Sequence, residues 1–289
     1  MINEAKLHFK IADLLNLDSR NVTATVRLLD EGGTVPFIAR YRKEMTGSMD
    51  EVQIIQIRDE IERLRALEQR RESILNSIET QGKLTEELKE QLLAAETMSR
   101  LEDLYLPYKP KRRTRATMAR EKGLEPLAHF ILAQNNASVF DEAEKYISTE
   151  NGVSSALEAL EGARDIVAEV VSEDALVREG LRELFKRSGI IKSRVIKGKE
   201  ETGEKFSDYF EWEEKLMDCP SHRLLAMRRG EKEDVLILDI RIDEEEARHL
   251  IEKKFITGRG ECAQQLKEAI EDSFKRLLQT SIEAEMRVL

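Results

Sequence analysis

A short run of basic residues is the part of this sequence best suited to chemistry with an anion. Between positions 109 and 122 seven residues are basic and only Glu121 is acidic, although the whole chain has a net charge of −10. Arginine suits phosphate because its planar guanidinium donates two hydrogen bonds at once, and an exposed loop can follow a phosphate backbone. The pattern predicts a nucleic-acid contact through these candidate residues: Lys109, Lys111, Arg112, Arg113 and Arg115.

The same basic residues have a purely structural interpretation. Aspartate and glutamate together number 57 in the chain, and charges of opposite sign on neighbouring elements commonly pair at a protein surface. The loop would then be an internal partner of acidic helices rather than a binding site. The sequence leaves both interpretations open.

A second basic cluster surrounds an aromatic residue near the N-terminus. Tyr41 stands between Arg40 and Arg42, and Lys43 follows. A ring among cations can stack on a base while the charges hold phosphates. A solvated helix face on which Tyr41 is half buried is the more ordinary arrangement, and we expect it here. Arg40, Arg42 and Lys43 are therefore reserve candidates for nucleic-acid contact.

Residue patterns typical of catalytic or metal sites do not occur. None of the four histidines has another four residues away, and Cys219 and Cys262 lack the spacing of a zinc site. Gly198 and Gly203 have the spacing of a phosphate-binding P-loop, but Glu204 stands where that loop requires lysine. No G-x-S-x-G nucleophile motif is present. We therefore predict a protein that is not an enzyme, with no catalytic residue, metal site or cofactor.

The composition predicts a mainly α-helical protein. Charged residues make up 36% of the chain and aromatic residues 5%, a mixture typical of long helices with charged surfaces. The net charge of −10 excludes a chain that coats nucleic acid over its whole surface, so any such contact must be local. Two isolated cysteines indicate a reducing, cytoplasmic environment. No apolar stretch reaches the roughly 18 residues of a membrane helix, and we predict no membrane role.

Helical periodicity dominates the first hundred residues, which must position the Tyr41 cluster. Two helices are predicted across 3–31, the second capped by Asn21. Ser48 and Glu51 have the spacing of a capping box. They precede a predicted helix of about thirty residues, which would be about 45 Å long. Its apolar stripe is interrupted at 68–72, where we expect solvent or a polar surface.

The rest of the chain combines helices with two predicted strands. Residues 107–115 contain two prolines and five basic residues, so they cannot form a regular helix or a central strand. Strands are predicted at 193–199 and 234–242. We expect a multi-helical fold with long scaffold helices, a helix-turn-helix-like subdomain and a small two- or three-stranded β element.

The predicted domains are a helical region with the long helix and basic loop at 1–122, the helix-turn-helix-like subdomain with the β element at 123–242, and C-terminal scaffold helices at 243–289.

Three segments together resemble the Tex family of transcription accessory proteins. They are LLDEGGTVPFIARYRKEMTG at 28–47, LEDLYLPYKPKRRT at 101–114, and the pair FSDYFEWEE and PSHRLLAMRRGE within 206–231. Their order and spacing also agree with the family. The resemblance covers essentially the whole chain.

The resemblance implies a bacterial cytoplasmic factor with four parts: an N-terminal helical region with a helix-turn-helix element, a YqgF-like domain, helix-hairpin-helix modules and an S1-type RNA-binding domain. Only the first part is recognisable here, so we expect a truncated chain whose helices form a scaffold for the missing domains. The implied function is non-catalytic support of RNA or DNA binding and of transcription-related assembly, with weak nucleic-acid binding by this part alone. The alternative is a protein-interaction module that contacts RNA polymerase or ribosome-associated proteins without touching nucleic acid.

Overall fold

Helices with charged surfaces make up most of the molecule, as the composition predicts. The computed structural model describes residues 3–135 and 137–287. The chain divides into two compact units, Met1–Tyr108 and Lys109–Leu289. The described part of the first unit is helical, and the second unit adds a three-stranded sheet. The mainly α-helical fold class is confirmed, while the three-domain division and the helix-turn-helix-like subdomain stay predictions.

The first unit has seven α-helices in its described part. Their bounds are Glu4–Leu15 (α1), Ser19–Asp30 (α2), Val35–Tyr41 (α3), Lys43–Thr46 (α4), Glu51–Thr80 (α5), Glu86–Ala94 (α6) and Met98–Tyr105 (α7). Apolar residues of α1, α2, α3 and α5 form one buried cluster. Ile11, Val22, Ile38 and Ile54 are completely covered within it. Packing of one apolar face from each helix therefore holds this part of the unit together.

The long helix α5 contains 30 residues, the length that the sequence predicts. Its N-terminus is closed by a capping box of Asp50 and Gln53 rather than by the predicted Ser48 and Glu51. Ser48 has a φ of 64°, a left-handed conformation that an N-cap residue does not adopt. The helix therefore starts at Glu51, directly after the Asp50 cap.

Arg71 accounts for the interruption of the apolar stripe on α5. Its side chain is 8% exposed and pairs with Glu68. Its guanidinium donates to the carbonyl oxygens of Leu92 at 2.9 Å and Ala95 at 2.5 Å, at the end of α6. Because the last carbonyls of a helix have no partner within that helix, Arg71 supplies donors that α6 lacks. The expected polar surface is thus a buried polar contact inside the first unit.

The second unit has nine α-helices and three strands in its described part. Their bounds are Arg115–Glu121 (α8), Glu125–Ala133 (α9), Val139–Glu144 (α10), Ala156–Glu173 (α11), Ala175–Ser188 (α12), Ile190–Val195 (β1), Glu211–Lys215 (β2), Ser221–Lys232 (α13), Leu236–Arg241 (β3), Glu244–Phe255 (α14), Glu261–Ser273 (α15) and Gln279–Met286 (α16). Helix α11 packs against α8, α9, α12 and α15. Ala159, Ala163, Val167 and Val171 on α11 have no exposed surface. This helix is therefore the core element on which the neighbouring segments rest.

The sheet is antiparallel, with β1 in the centre and the order β2-β1-β3. Ile190 of β1 faces Lys215 of β2 on one side and Arg241 of β3 on the other. The strand predicted at 193–199 corresponds to β1, which begins and ends earlier in the chain. The strand predicted at 234–242 corresponds to β3, which is slightly shorter. Strand β2 is not predicted by the sequence pattern, because four of its five residues are charged.

The last helix changes its winding once. Helix α15 continues through a π turn, Phe274–Leu278, into α16. Along this path the buried apolar residues recur at every fourth position: Leu266, Ile270, Phe274, Leu278, Ile282 and Met286. Residues four apart on an α-helix are rotated by about 40° from one another. The π turn, with its i→i+5 hydrogen bonds, uses an additional residue and so returns the later side chains to the core.

Two side chains of the C-terminal segment cover the outer edge of β3. The backbone N–H of Ile240 donates to the Glu283 carboxylate at 3.0 Å. Arg287 donates to the carbonyl oxygen of Leu238. These side chains satisfy backbone groups that a further strand would otherwise pair, so the edge is protected from pairing with another chain.

Candidate nucleic-acid interface

The basic loop, defined as residues 109–115, begins the second unit. Positions 109–114 form neither helix nor strand, and α8 starts at Arg115. Thr114 caps α8, because its side chain accepts from the N–H of Thr117 at 3.1 Å. The Thr114 hydroxyl also donates to Glu169 of α11 at 3.1 Å. The predicted break in regular structure is therefore confirmed, and the loop is fixed to α11 at its C-terminal end.

Lys111 points inward from the basic loop. Its Nζ lies 2.5 Å from Oε1 of Glu173 and 3.2 Å from Oε2 of Glu169, and its side chain is 22% exposed. Arg120 of α8 donates to the same Glu169 oxygen at 2.6 Å. Glu169 thus lies between two cations, with its own side chain 8% exposed. Lys111 is engaged within the protein, as the structural interpretation of the loop requires.

Burial and neighbouring cations shift the two carboxyl groups of α11 in opposite directions. Burial alone would raise the pKa of Glu169, but Arg120 and Lys111 outweigh it, so this pKa lies below the usual 4.5. Burial raises the pKa of Glu173 above 4.5 despite the Lys111 ammonium. Glu169 therefore keeps its negative charge in mild acid, whereas Glu173 takes up a proton more readily than an ordinary glutamate.

Two other cations of the loop have acidic neighbours, but in the described residues only Arg113 forms an ion pair. Arg113 pairs with Glu121 at 2.9 Å, and their side chains are 71% and 59% exposed. An exposed pair of this kind contributes little to stability, so phosphate can displace Glu121 at small cost. Arg115 is exposed, and its charge acts on Asp165 of α11, whose pKa is raised by burial.

Lys109 and Arg112 are two further exposed cations of the loop. Both side chains belong to exposed residues, and neither has an ion-pair partner among residues 3–135 and 137–287. The structure therefore divides the five candidates. Lys111 is anchored inside, Arg113 and Arg115 have weak or distant partners, and Lys109 and Arg112 face solvent.

The reserve candidates lie on α3 and α4 of the first unit. Arg40 reaches Glu51 at only 4.0 Å, and both side chains are more than half exposed. Arg42 donates to the carbonyl oxygen of Tyr41 at 3.3 Å. Lys43 is exposed and has no ion pair in the part of the chain that the structure describes. These three cations are thus weakly engaged.

The Tyr41 side chain projects into solvent, and the residue is 68% exposed. The expectation of a half-buried tyrosine is wrong. Phe37, one helical turn earlier, is 41% exposed, and the two ring centres are 5.5 Å apart. The guanidinium of Arg42 lies 5.0 Å from the centre of the Phe37 ring. Sequence reasoning missed Phe37, although its spacing of four from Tyr41 places both on one helix face.

Side chains that could bind a metal ion are not brought together in the described ranges. No group of three or more histidine, cysteine or acidic residues there could hold a metal ion. Burial and the Glu214 carboxylate raise the pKa of Cys219 to about 11, so this thiol stays protonated at neutral pH. Burial also raises the pKa of Cys262. None of the described helices has the length and apolar character needed to cross a membrane.

Two family descriptions match the chain. Residues 5–79 match the Tex-like protein N-terminal domain. Residues 134–288, more than half of the chain, match the Tex central region-like description. The chain belongs to the Tex family. The resemblance carried by the three sequence segments is therefore confirmed.

Tex relatives align with most of this chain. YdcI of Bacillus subtilis (strain 168) is 44% identical over 292 residues, which are 99% of this chain and 40% of YdcI. The transcriptional accessory protein Tex of Neisseria gonorrhoeae is 48% identical over 222 residues, 77% of this chain and 29% of that protein. The S1 RNA-binding domain-containing protein 1 of Homo sapiens is 28% identical over 284 residues, 93% of this chain and 28% of that protein. The chain therefore spans 28% to 40% of the length of these relatives.

Proposed function

We propose that this Tex-family chain is a non-catalytic scaffold of a transcription accessory protein, and that its basic loop contacts the phosphate backbone of RNA or DNA. The names of two relatives, a transcriptional accessory protein and an S1 RNA-binding domain-containing protein, support a nucleic-acid setting. On the same ground we assign the protein to the cytoplasm. Its partners would be RNA or DNA, together with RNA polymerase or ribosome-associated proteins.

The observation that carries this proposal is that the cations of the basic loop differ in their burial and in their ion pairs. Lys111 is held by Glu169 and Glu173, while Lys109 and Arg112 are exposed and lack ion pairs in the described residues. An internal pairing loop would neutralise all of its cations, yet in the described residues only Lys111 and Arg113 of this loop form ion pairs. Because the anchor already orders the backbone, binding loses less conformational entropy than it would with a free segment.

A bound phosphate backbone can also contact other cations of the same segment. Arg113 needs only to leave Glu121, in a pair that is open to solvent on both sides. Arg115 begins α8 next to the loop. Lys109 and Arg112 are thus the primary contacts, Arg113 and Arg115 add to them, and Lys111 positions the loop. Arg40, Arg42 and Lys43 of the first unit remain a reserve contact.

Fluorescence anisotropy with single-stranded RNA, single-stranded DNA and duplex DNA at several salt concentrations tests the proposal. We expect salt-sensitive binding in the micromolar range for non-specific contact, within the usual span of about 10⁻⁴ to 10⁻⁶ M. The double variant Lys109→Glu/Arg112→Glu should bind more weakly. On a single strand its slope of log affinity against log salt should fall by about 1.4, since each lost phosphate contact removes about 0.7.

The control makes the same charge change elsewhere on the surface. Lys89 on α6 and Lys267 on α15 are exposed and without ion pairs in the described ranges. The variant Lys89→Glu/Lys267→Glu should keep the wild-type salt slope. If both double variants lose affinity equally, general charge and not the loop governs binding. An unchanged slope in Lys109→Glu/Arg112→Glu would remove the loop from the interface.

A protein-interaction module is the second candidate function, and exposed apolar side chains favour it. Met217 and Leu225 in the second unit are 71% and 69% exposed, and exposed apolar residues mark a protein contact where they form a contiguous patch. The test is a pull-down from nuclease-treated bacterial lysate, probed for RNA polymerase and ribosomal proteins. Capture that survives nuclease and is lost in Met217→Glu/Leu225→Glu would favour this function over the first.

A further inference from the structure

The outward face of α3 carries an aromatic pair that the core does not use. Ile38 and Ala39 supply the buried face of this helix, whereas Phe37 and Tyr41 are 41% and 68% exposed. Their ring centres are 5.5 Å apart and their planes differ by 43°. Leaving two aromatic rings in water forgoes the stabilisation that their burial would give. The pair therefore forms an apolar surface open to a ligand.

Three cations lie close to the two rings in the sequence, and one of them contacts a ring. The Arg42 guanidinium lies 5.0 Å from the centre of the Phe37 ring, Arg40 is held only by a 4.0 Å contact with Glu51, and Lys43 has no ion pair in the described residues. A ligand that suits this surface combines flat apolar groups with regularly spaced negative charges. Nucleic acid has that chemistry, since a base can cover a ring while its phosphates meet the cations.

The segment packs closely against its neighbour α2 at both ends. A Cβ at Gly47 would lie 2.1 Å from Nδ2 of Asn21, and Gly47 has a φ of +66°. At the other end, a Cβ at Gly33 would lie 2.7 Å from the carbonyl oxygen of Leu28. A Cβ at either position would force a neighbour to move, the Asn21 amide at Gly47 and the Leu28 backbone at Gly33. The rings are therefore presented by a fixed backbone, which reduces the entropy lost on binding.

We propose that Phe37 and Tyr41 form a stacking platform for unpaired bases of a single-stranded nucleic acid. Tyr41, the more exposed ring, takes the base, and Phe37 with Arg42 supports it from the same face. Duplex bases are already stacked on one another and offer no free face within the helix, so the platform selects single strands. The inference rests on the proposed nucleic-acid function for its class of ligand, but it assigns a separate site, in the first unit.

Two short DNA strands with equal numbers of phosphates, one thymidine-containing and one fully abasic, test the platform by fluorescence anisotropy. Wild type should bind the thymidine strand about fivefold or more tightly than the abasic strand, the lower end of what one stacked base contributes. Tyr41→Ala should bring the two affinities close together. Tyr41→Phe, which keeps the ring, should preserve the difference. Tyr41 is mostly exposed, so none of these variants should unfold the protein.

The outcomes separate the platform from the basic loop. Lys109→Glu/Arg112→Glu should weaken binding of both strands equally and leave their ratio unchanged. Equal wild-type affinity for the two strands would overturn the platform and leave the loop proposal standing. A ratio that persists in Tyr41→Ala would overturn it as well, since the stacking ring would lie elsewhere. Absence of binding to either strand at low salt would overturn both proposals.

A cross-linking measurement supplies an independent readout. A single strand carrying 5-iodouracil, irradiated in complex with the wild-type chain, should attach to the peptide that contains Tyr41, as identified by mass spectrometry. Attachment confined to other aromatic residues, such as Trp212, would contradict the assignment.

Discussion

Lys111 and Glu169 form an ion pair of 3.2 Å that fixes the middle of the basic loop to helix α11. The pair decides how the loop can be used, because it removes one cation from solvent while its neighbours Lys109 and Arg112 stay exposed. Under the proposed function, stability and binding would therefore be carried by different residues within the same short segment. Substitutions at these positions separate the two roles.

Replacement of Lys111 should affect stability more than replacement of Arg112. Lys111→Met leaves the buried Glu169 with one cation fewer and Glu173 with none of its ion pairs. We expect the free energy of unfolding to fall by about 2 kcal/mol, below the range for a fully buried pair because the lysine is partly exposed. Arg112→Met should change it by less than about 0.5 kcal/mol. Urea unfolding at pH 7 measures both, and equal losses would contradict the anchoring role.

The two glutamates of α11 should respond differently to neutralisation. The pKa of Glu169 is lowered, so its charge stabilises the fold above pH 4.5, and this contribution is lost as pH falls through the folded-state pKa. Glu169→Gln should therefore cost about 2 kcal/mol at neutral pH and less near pH 3.

The pKa of Glu173 is raised, so its charge carries a penalty that grows as pH rises above 4.5. Glu173→Gln should thus be as stable as wild type at pH 7, or more stable. Urea titrations at pH 7 and pH 3 check both variants. A Glu173→Gln protein that loses as much stability as Glu169→Gln at pH 7 would show that the two carboxylates act alike.

Arg71 should be the costliest cation to remove from α5. Arg71→Leu leaves the carbonyl oxygens of Leu92 and Ala95 without these donors and Glu68 without its partner. We expect a loss of about 3 kcal/mol. Arg58→Leu, on the same helix but 42% exposed and paired with the adjacent Asp59, should stay within about 0.5 kcal/mol of wild type. Thermal and urea unfolding compare the two.

Gly47 should tolerate alanine less well than Gly82. Both glycines have positive φ, 66° and 67°, but a Cβ at Gly82 meets nothing within 4 Å, whereas at Gly47 it meets Asn21. Gly82→Ala should cost about 1–2 kcal/mol from backbone strain alone, and Gly47→Ala should cost more. Gly47→Ala should also reduce the preference for the base-containing strand, because α3 and α4 shift on α2. If the Gly47→Ala protein is as stable as the Gly82→Ala protein, the close approach to Asn21 does not add to the cost of substitution.

Local rules predict the first unit well but misplace its caps. Both Ser48 with Glu51 and Asp50 with Gln53 have capping-box spacing, and the left-handed turn that follows α4 selects the second pair. For α2 the cap is Asp18 rather than Asn21, because the helix begins a full turn before its first fully buried residue. Spacing rules identify a helix start, but the conformation of the preceding turn chooses between overlapping candidates.

Non-local pairing explains what the sequence does not predict in the second unit. Strand β2, with the sequence EWEEK, lacks an apolar alternation and forms because β1 offers it a free edge. The basic loop shows the same effect. Its charge is visible in the sequence, but only the fold brings Glu169 and Glu173 of α11 beneath Lys111 and so distinguishes the anchored cation from the exposed ones.

The π turn at Phe274–Leu278 sets the direction in which the later side chains of the described helix point around its axis. Inserting one residue directly after this turn would rotate the remaining segment by about 100°, turning Ile282 and Met286 away from the core they now fill. The same rotation would carry Glu283 and Arg287 away from β3 and uncover its backbone edge. A single-residue insertion in this helix would therefore convert a protected strand edge into one prone to strand-to-strand aggregation, although every side chain needed for protection would still be present.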